Sequence, residues 1–348
     1  MIILIARGVD KMVNRGIMII NHNIPCACAC RYCFFRSCKK ASDGIPYYRG
    51  KKMALRFNEW QKGKKLNDFW LCYAISHCAD YPELIDNIEL NKSFGFLGIR
   101  YLQINGLKLK NQSELAEYLI NAKNAGIKSI DTTFYGLEEY HDKFAARKGD
   151  FTYLLNILKI ALELGIIPEP TFVILEDNKD QIVDLLSLLQ KYIGVDAAIH
   201  GFLQDYRGNG ENLENVRLTL QSYEAMSDKI KHYINVSGYK TEEDWLNGNS
   251  FSQYTSRNLI LALRPDNIDM LETMTCDEII NYIIELDERY YNVIPDIDVL
   301  AKFYGNKNCQ KLYRQRDLLW KWQKQFITDN KLQLHDVTDE RICGSMRF

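Results

Sequence analysis

The chain has 348 residues, of which 47% are hydrophobic and 26% are charged, an ordinary composition for a globular protein. The net charge of −1 gives no electrostatic indication of nucleic-acid binding, and no apolar run is long enough to cross a bilayer. The opening run MIILIA is too short for a signal-peptide core, so we expect a cytoplasmic protein. There the ten cysteines would stay reduced, and clustered thiols indicate metal binding or catalysis.

Short apolar strands and amphipathic helices alternate over roughly the first 255 residues. This alternation predicts parallel strands with right-handed crossovers, in either an open doubly wound sheet or a partly closed barrel. In both architectures ligands bind at the carboxyl ends of the strands. The predicted strands span residues 16–20, 69–75, 99–104, 129–135, 171–175 and 196–203.

Capping and helix-breaking residues locate the helices between these strands. Asn111 and Glu114 form a capping-box pattern before an apolar stripe, and Gly126 ends that helix. A second helix ends at Gly165. Asn178 follows the fifth strand and is expected to cap a third helix.

The alternation stops after about residue 255. Residues 258–263 and 268–271 flank the sequence Pro-Asp-Asn and are predicted to form a hairpin. The rest of the chain is predicted to be mostly helical, with helices at residues 276–291, 296–305 and 312–326. We therefore expect an N-terminal segment (1–15), a barrel-type domain (16–255) and a C-terminal hairpin and helical extension (256–348).

Four cysteines, Cys26, Cys28, Cys30 and Cys33, follow the first predicted strand within a single short loop. Cys26, Cys30 and Cys33 have the spacing C-x3-C-x2-C. Three thiolates can hold three corners of a 4Fe–4S cluster and leave the fourth iron open to another ligand. A site with four cysteines would be coordinatively full and suited to structure or electron transfer. A zinc ribbon needs a second C-x2-C pair, which this sequence lacks.

This loop resembles that of the radical S-adenosylmethionine (radical SAM) superfamily, in which an aromatic residue, here Tyr32, precedes the last cysteine. The third predicted strand ends in Gln103-Ile104-Asn105-Gly106, which is similar to the Thr-Asn-Gly ending common in that family. Residues 132–151 (TTFYGLEEYHDKFAARKGDF), Asn178 and residues 205–218 (DYRGNGENLENVRL) also look family-like. The resemblance covers roughly residues 16–263.

The resemblance implies a partial (β/α)6 TIM-like barrel that holds one 4Fe–4S cluster through Cys26, Cys30 and Cys33 and binds S-adenosylmethionine. In that family the reduced cluster cleaves S-adenosylmethionine reductively, and the resulting 5′-deoxyadenosyl radical abstracts hydrogen from a substrate. An electron donor such as flavodoxin or ferredoxin is implied. By analogy with relatives, a peptide or protein substrate is slightly favoured over a small molecule. No auxiliary-cluster extension of the SPASM type is recognisable.

The resemblance also suggests residues that contact the cofactor. Tyr32 and Phe34 lie beside the cluster and would pack on the adenine. Asp131 and Thr133 would share one face of the fourth strand, where ribose or carboxylate could bind. The candidates are Tyr32, Phe34, Ser76, His77, Cys78, Asn105, Asp131, Thr133, Asn178 and Arg207. We expect His141 and Asp142 to form a hydrogen-bonded pair that fixes a loop.

Two other interpretations stay open. The loop could form a closed zinc or iron–sulfur site with all four cysteines, in a structural or electron-transfer protein. Alternatively, the chain could be a catalytically degenerate homologue, because residues 75–80 (ISHCAD) contain no glycine where the family has Gly-Gly-Glu. The isolated cysteines elsewhere in the chain are expected to be core thiols.

Overall fold

The computed structural model describes residues 16–21, 26–33, 44–66, 69–74, 80–95, 101–194, 198–204, 206, 210–248, 251 and 259–334. The strands in this part of the chain are β1 (Gly16–Asn21), β2 (Trp70–Ala74), β3 (Tyr101–Gln103), β4 (Ser129–Phe134), β5 (Ile167–Ile174), β6 (His200–Leu203), β7 (Tyr239–Thr241), β8 (Leu259–Leu263) and β9 (Leu312–Arg314). The first helices are α1 (Tyr47–Lys64), α2 (Leu84–Ser93), α3 (Gln112–Asn124), α4 (Glu138–Ala145), α5 (Asp150–Glu163) and α6 (Ile182–Ile193). The later helices are α7 (Leu220–Glu224), α8 (Asp228–Lys231), α9 (Glu242–Asn247), α10 (Ile268–Thr273), α11 (Cys276–Val293), α12 (Ile297–Tyr304) and α13 (Gln315–Asp329).

Seven of the described strands run parallel, in two sheets of order β2-β1-β8 and β3-β4-β5-β6. The α/β class with parallel strands, predicted from the strand–helix alternation, is confirmed. The described strands form these two sheets and not one closed barrel. Because β3 to β6 pair in parallel, their carboxyl ends lie along one edge.

Alternation along β4 separates a helix-facing side from an inner side. Ile130 and Phe134 pack in the largest hydrophobic cluster, together with residues of α3 and α5. Asp131 and Thr133 point to the opposite face, and both are buried. The inner face therefore carries polar groups beneath the carboxyl edge.

The hairpin predicted for residues 258–271 is wrong. Leu259–Leu263 is instead a strand that pairs in parallel with β1, and the following residues form α10. All five residues of β8 are buried, which is typical of a parallel strand covered on both faces. The Asn267 amide accepts from the Arg264 N–H (2.9 Å) and donates to the Ala262 carbonyl (2.8 Å), so the turn leads into a helix.

The C-terminal part is mostly helical, as predicted, and has its own hydrophobic cluster around Trp322, Tyr313 and Tyr290. Helices α11 and α12 occupy the predicted positions. The predicted helix at residues 312–326 begins instead as β9, which pairs antiparallel with β7 before α13 starts. No helix in the described segments is both long and apolar enough to cross a membrane.

The capping box at the start of α3 is present, with Asn111 accepting from the Glu114 N–H at 3.0 Å. Asn178 does not act as predicted, because its side chain makes no helix-cap bond. Its oxygen accepts from the Leu175 N–H (2.8 Å), and its amide donates to the carbonyls of Tyr135 (2.7 Å) and Val173 (2.8 Å). Asn178 thus closes the end of β5 and ties it to the end of β4.

Candidate functional site

The cysteine loop lies just beyond the carboxyl end of β1 and is held by backbone hydrogen bonds to two other segments. One is the turn after β3, and the other is the C-terminal end of α4. The loop therefore has a defined position at the carboxyl edge of the sheets. The bonds are from Ala27 N to Gly106 O (2.8 Å), from Ala29 N to Ala145 O (2.9 Å) and from Arg31 N to Phe144 O (3.0 Å).

Gly106 makes room for the first cysteine of the loop. Its φ is +84°, in the left-handed region that favours glycine, and a Cβ built there would lie 2.3 Å from the Cys26 sulfur. Any other residue would be strained by its backbone and would also collide with this thiol. The Asn-Gly sequence after β3 is thus matched to the position of Cys26.

The four thiols of the loop have different surroundings. Cys26 and Cys30 are partly exposed, whereas Cys33 and Cys28 are buried. Cys28 is only 4% exposed and donates to the Asp150 carboxylate at 3.6 Å. Hydrogen bonds with the Cys26 and Cys30 thiols, burial and the charge of Asp150 raise the pKa of the Cys28 thiol.

The donor set of the loop fits an iron–sulfur cluster by its chemistry. Cys26, Cys30 and Cys33 are thiols of the type that ligates such clusters, and they lie in a loop fixed at the carboxyl edge. In the described part of the chain, no three Cys, His, Asp or Glu side chains are grouped so that they could hold a metal ion. The loop therefore fits an iron–sulfur cluster in the type of its donor atoms and in its location in the fold.

A buried aromatic cluster lies beneath the loop. The Tyr32 hydroxyl is 2.8 Å from the Tyr135 hydroxyl, and Phe144 stacks on the Tyr135 ring at 4.3 Å between centroids. Tyr32 is 7% exposed, and burial raises its pKa. Tyr32, predicted to contact adenine, thus packs in the described structure against the end of β4.

Three of the predicted cofactor contacts are close together near the carboxyl ends of β3 and β4. The Thr133 hydroxyl is 3.0 Å from that of Thr171, which also lies 3.4 Å from an oxygen of Asp131. Asn105 accepts from the Thr133 N–H (2.6 Å) and donates to the Thr133 carbonyl (2.9 Å). Asn105 therefore extends the β3–β4 pairing, and Asp131 and Thr133 form a polar patch on the inner face.

His141 and Asp142 do not pair with each other as predicted, because each faces a different partner. Asp142 accepts from the N–H groups of Gly149 and Phe151 at the start of α5. His141 Nδ1 accepts from the Tyr135 N–H at 3.2 Å, which places its proton on Nε2, 3.1 Å from an oxygen of Asp150.

Arg147 and Asp150 lie directly behind the loop; they belong to the family-like segment 132–151, but sequence reasoning did not single them out. The other oxygen of Asp150 accepts from Arg147 Nε at 3.0 Å and from its Nη2. Burial opposes ionisation of Asp150, but His141 and Arg147 outweigh it and lower the pKa of this carboxyl. The signal available in the sequence was the spacing of these residues just after His141.

No protein-family model matches the chain, and no curated protein matches it. Among solved structures, it is similar to SuiB of Streptococcus suis bound to S-adenosylmethionine, at 11% identity and a TM-score of 0.44, over 73% of this chain and 51% of SuiB. It is also similar to anSMEcpe with bound AdoMet, at 16% identity and a TM-score of 0.43, over 71% of this chain and 63% of that one.

A third similar structure is coproporphyrinogen III oxidase (HemN) of Escherichia coli, at 10% identity and a TM-score of 0.39, over 75% of this chain and 65% of HemN. That protein is a radical SAM enzyme. The chain spans about half the length of SuiB and under two thirds of the other two. At these identities and TM-scores the similarity concerns the fold alone.

The remaining predicted cofactor contacts, Phe34, Ser76, His77, Cys78 and Arg207, lie outside the described residues. Tyr206, next to Arg207, is described, and its N–H donates to the Asp317 carboxylate at 3.1 Å. The C-terminal extension thus reaches the loop that follows β6.

Proposed function

We propose that this protein is a radical SAM enzyme whose 4Fe–4S cluster is held by Cys26, Cys30 and Cys33. The observation that carries the proposal is the position of a C-x3-C-x2-C loop at the carboxyl end of the first strand of a parallel sheet, where ligands bind in α/β folds. Three thiolates leave one iron of such a cluster open for S-adenosylmethionine.

The surroundings of the four thiols support this choice of ligands. Gly106 leaves room for Cys26, while Cys30 is partly exposed and Cys33 closes the loop through its N–H bond to the Cys30 carbonyl (3.1 Å). Cys28 hydrogen-bonds to Asp150 as well as to the Cys26 and Cys30 thiols, and we exclude it from the ligand set because it stands outside the C-x3-C-x2-C spacing. A three-thiol site is the arrangement that chemistry at an open iron requires.

The inner face supplies the remaining parts of the site. Asp131 and Thr133 offer polar groups to a cofactor ribose or carboxylate. Met18, Ile20 and Ile260 form an apolar surface near Cys26 that would keep water away from a reactive species. When bound, the reduced cluster and S-adenosylmethionine supply the 5′-deoxyadenosyl radical that abstracts hydrogen from the substrate.

The substrate class we favour is a peptide or protein, with an electron donor such as flavodoxin or ferredoxin as a partner. The preference for a peptide or protein substrate rests on analogy with the radical SAM family, which the cysteine loop and strand ends resemble. Among the similar solved structures, anSMEcpe holds the peptides Cp18Cys and Kp18Cys alongside AdoMet. Candidate peptides can be screened for hydrogen loss by mass spectrometry.

Anaerobic reconstitution tests the proposal. The wild-type protein should bind about four iron and four sulfide per chain, and after reduction it should release 5′-deoxyadenosine from S-adenosylmethionine. Replacing Cys26, Cys30 or Cys33 by alanine should abolish both. The matched control is Cys72→Ala, which removes a buried thiol from β2 and should leave both measurements unchanged.

The Cys28→Ala variant separates the alternatives. Under the proposal this variant keeps its iron and still cleaves S-adenosylmethionine. If Cys28→Ala loses its metal together with the other three variants, or if anaerobically purified protein carries zinc, the loop is a closed site and the proposal is wrong. A full cluster that binds S-adenosylmethionine without cleaving it would identify a degenerate homologue.

A further inference from the structure

The cysteine loop is hydrogen-bonded through its backbone to two segments that are distant in sequence. Its first part bonds to the Gly106 carbonyl, in the turn after β3. Its later part bonds to the carbonyls of Phe144 and Ala145, at the end of α4. The thiols can keep a fixed arrangement only if these two segments stay fixed relative to each other.

Arg147 and Asp150 join the two segments. Arg147 Nη1 donates to the Leu107 carbonyl, one residue past Gly106, while its Nε and Nη2 bind one oxygen of Asp150. Asp150 is the first residue of α5, which follows α4 directly. The guanidinium thus bridges the turn after β3 to the α4–α5 corner, through two charge-assisted hydrogen bonds that share one carboxylate oxygen.

The second oxygen of Asp150 reaches the loop itself. It accepts from the Cys28 thiol (3.6 Å) and from His141 Nε2 (3.1 Å). The side chains of Asp150 and His141 are both fully buried. A buried carboxylate with donors on both oxygens holds its partners in a narrow range of geometry, because the loss of any donor leaves a buried negative charge less well hydrogen-bonded.

We infer that Asp150, oriented by Arg147 and His141, is a positioning residue for the cysteine loop, which it holds on the α5 side through Cys28. This inference rests on the proposed function only for its consequence, namely that Cys26, Cys30 and Cys33 would ligate the cluster while Cys28 would keep its bond to Asp150. The positioning itself is a property of the metal-free protein and can be tested without a cluster.

The primary measurement is the alkylation rate of each loop thiol in metal-free protein, by iodoacetamide labelling and peptide mass spectrometry. Asp150→Asn replaces an acceptor with an amide that turns a donor toward Arg147, His141 or Cys28. We expect alkylation of Cys28 to accelerate about tenfold, the effect of losing one hydrogen bond to a charged group. An unchanged rate would overturn the inference.

The matched control is Glu242→Gln. Glu242 is also a fully buried carboxylate with a cation and N–H donors, from Lys321, Trp322 and Asn306, but it lies in the C-terminal cluster. This variant should lower the unfolding temperature to a similar degree and leave Cys28 labelling at the wild-type rate. Equal acceleration in both variants would mean that general destabilisation explains the result, and the inference would be wrong.

If Asp150→Asn does not fold, Arg147→Gln replaces it as the test. This variant breaks the bridge to Leu107 and leaves the bonds between Asp150, His141 and Cys28 in place. It should accelerate labelling of Cys26, next to Gly106, more than that of Cys28. Equal, wild-type rates at both thiols would contradict the inference.

A second measurement uses the reconstituted protein. The reduced Asp150→Asn variant should bind iron but give an electron paramagnetic resonance spectrum that differs from the wild type with S-adenosylmethionine present. An unchanged spectrum would contradict positioning of the cluster ligands. If the wild type binds zinc while Asp150→Asn still accelerates the alkylation of Cys28, the positioning role of Asp150 is supported and the proposed function is wrong.

Discussion

The hydroxyl groups of Tyr32 and Tyr135 lie 2.8 Å apart in the interior, and their rings meet edge to face with centroids 5.5 Å apart. Tyr32 belongs to the cysteine loop, whereas Tyr135 follows the last residue of β4. The Tyr135 carbonyl accepts from Asn178 and its N–H donates to His141. Tyr135 therefore connects the cysteine loop, Asn178 at the end of β5, and His141, which contacts Asp150.

Replacing Tyr135 by phenylalanine should destabilise the metal-free protein by about 1–2 kcal/mol, because a buried hydroxyl of Tyr32 loses its neighbour without gaining water. Urea unfolding followed by circular dichroism measures this. Tyr140→Phe is the control. It removes a hydroxyl bonded to the partly exposed Asp177 and should cost less than about 0.5 kcal/mol. Equal losses of unfolding free energy in the two variants would show that the buried Tyr32–Tyr135 contact stabilises the protein no more than the exposed Tyr140–Asp177 contact does.

Gly106→Ala should prevent cluster assembly, because the new methyl group occupies the space of the Cys26 sulfur. The control is Gly95→Ala, where φ is similarly positive (+80°) but nothing lies within 4 Å of the added Cβ. Both variants should lose about 1 kcal/mol of stability from backbone strain. Only Gly106→Ala should also lose iron after reconstitution, and full iron content in that variant would contradict the fit between Gly106 and Cys26.

Glu176 should make the stability of the protein depend on pH in the acid range. Burial opposes its ionisation, but hydrogen bonds from Lys179, Thr219 and Ser222 prevail and lower its pKa from 4.5 to about 2. The contribution is therefore complete above about pH 4.5 and declines as the pH falls toward 2. The difference in unfolding free energy between wild type and Glu176→Gln should shrink between about pH 4.5 and pH 3.

The control for that pH dependence is Glu163→Gln, which alters an exposed carboxylate at the end of α5. Its difference from the wild type is measured over the same pH range as a baseline. If the Glu176→Gln difference were constant, the ionised carboxylate would not be what links the end of β5 to residues 219–222.

Asp317→Asn should weaken the binding of S-adenosylmethionine. The Asp317 carboxylate accepts from the Tyr206 N–H (3.1 Å) and the Arg314 N–H (3.2 Å), so it connects the loop after β6 to α13. Tyr206 precedes Arg207, a predicted cofactor contact, so releasing Tyr206 should raise the dissociation constant of the cofactor by about fivefold, the low end of the coupling between separate sites, with iron content unchanged. Isothermal titration calorimetry on the reconstituted protein measures this constant. An unchanged dissociation constant would show that the contact between the C-terminal extension and Tyr206 does not affect cofactor binding.

The sequence predicted the parallel strands and the location of the cysteine loop, because apolar runs, capping residues and C-x3-C-x2-C spacing are local signals. Sequence reasoning did not recognise that the side chains of Asn178 and Asn267 make the same pair of backbone hydrogen bonds. Each accepts the N–H three residues earlier and donates to the carbonyl five residues earlier, after the similar sequences VILEDN and ALRPDN. Comparing these two sequences would have identified β8 and α10 as another strand–helix unit.

The network behind the loop was not predictable in the same way. Asp142 and Asp150 are both acidic residues near His141, and adjacency in sequence favoured the wrong partner. The choice depends on the direction in which α5 leaves the corner after Ala146, which ends α4 in the left-handed conformation with a φ of +52°. Long-range contacts such as Arg147 to Leu107 leave no periodic pattern in the chain.

The pairing of β8 with β1 means that the strand leading into the cysteines has a neighbour on each side. Residues Ile17 to Asn21 face Leu259 to Leu263 on one flank and β2 on the other. A protein shortened at residue 255 would leave that flank of β1 with unpaired peptide groups, a surface prone to self-association. Residues 259–263 are accordingly part of the same sheet as β1 and do not belong to a detachable C-terminal module.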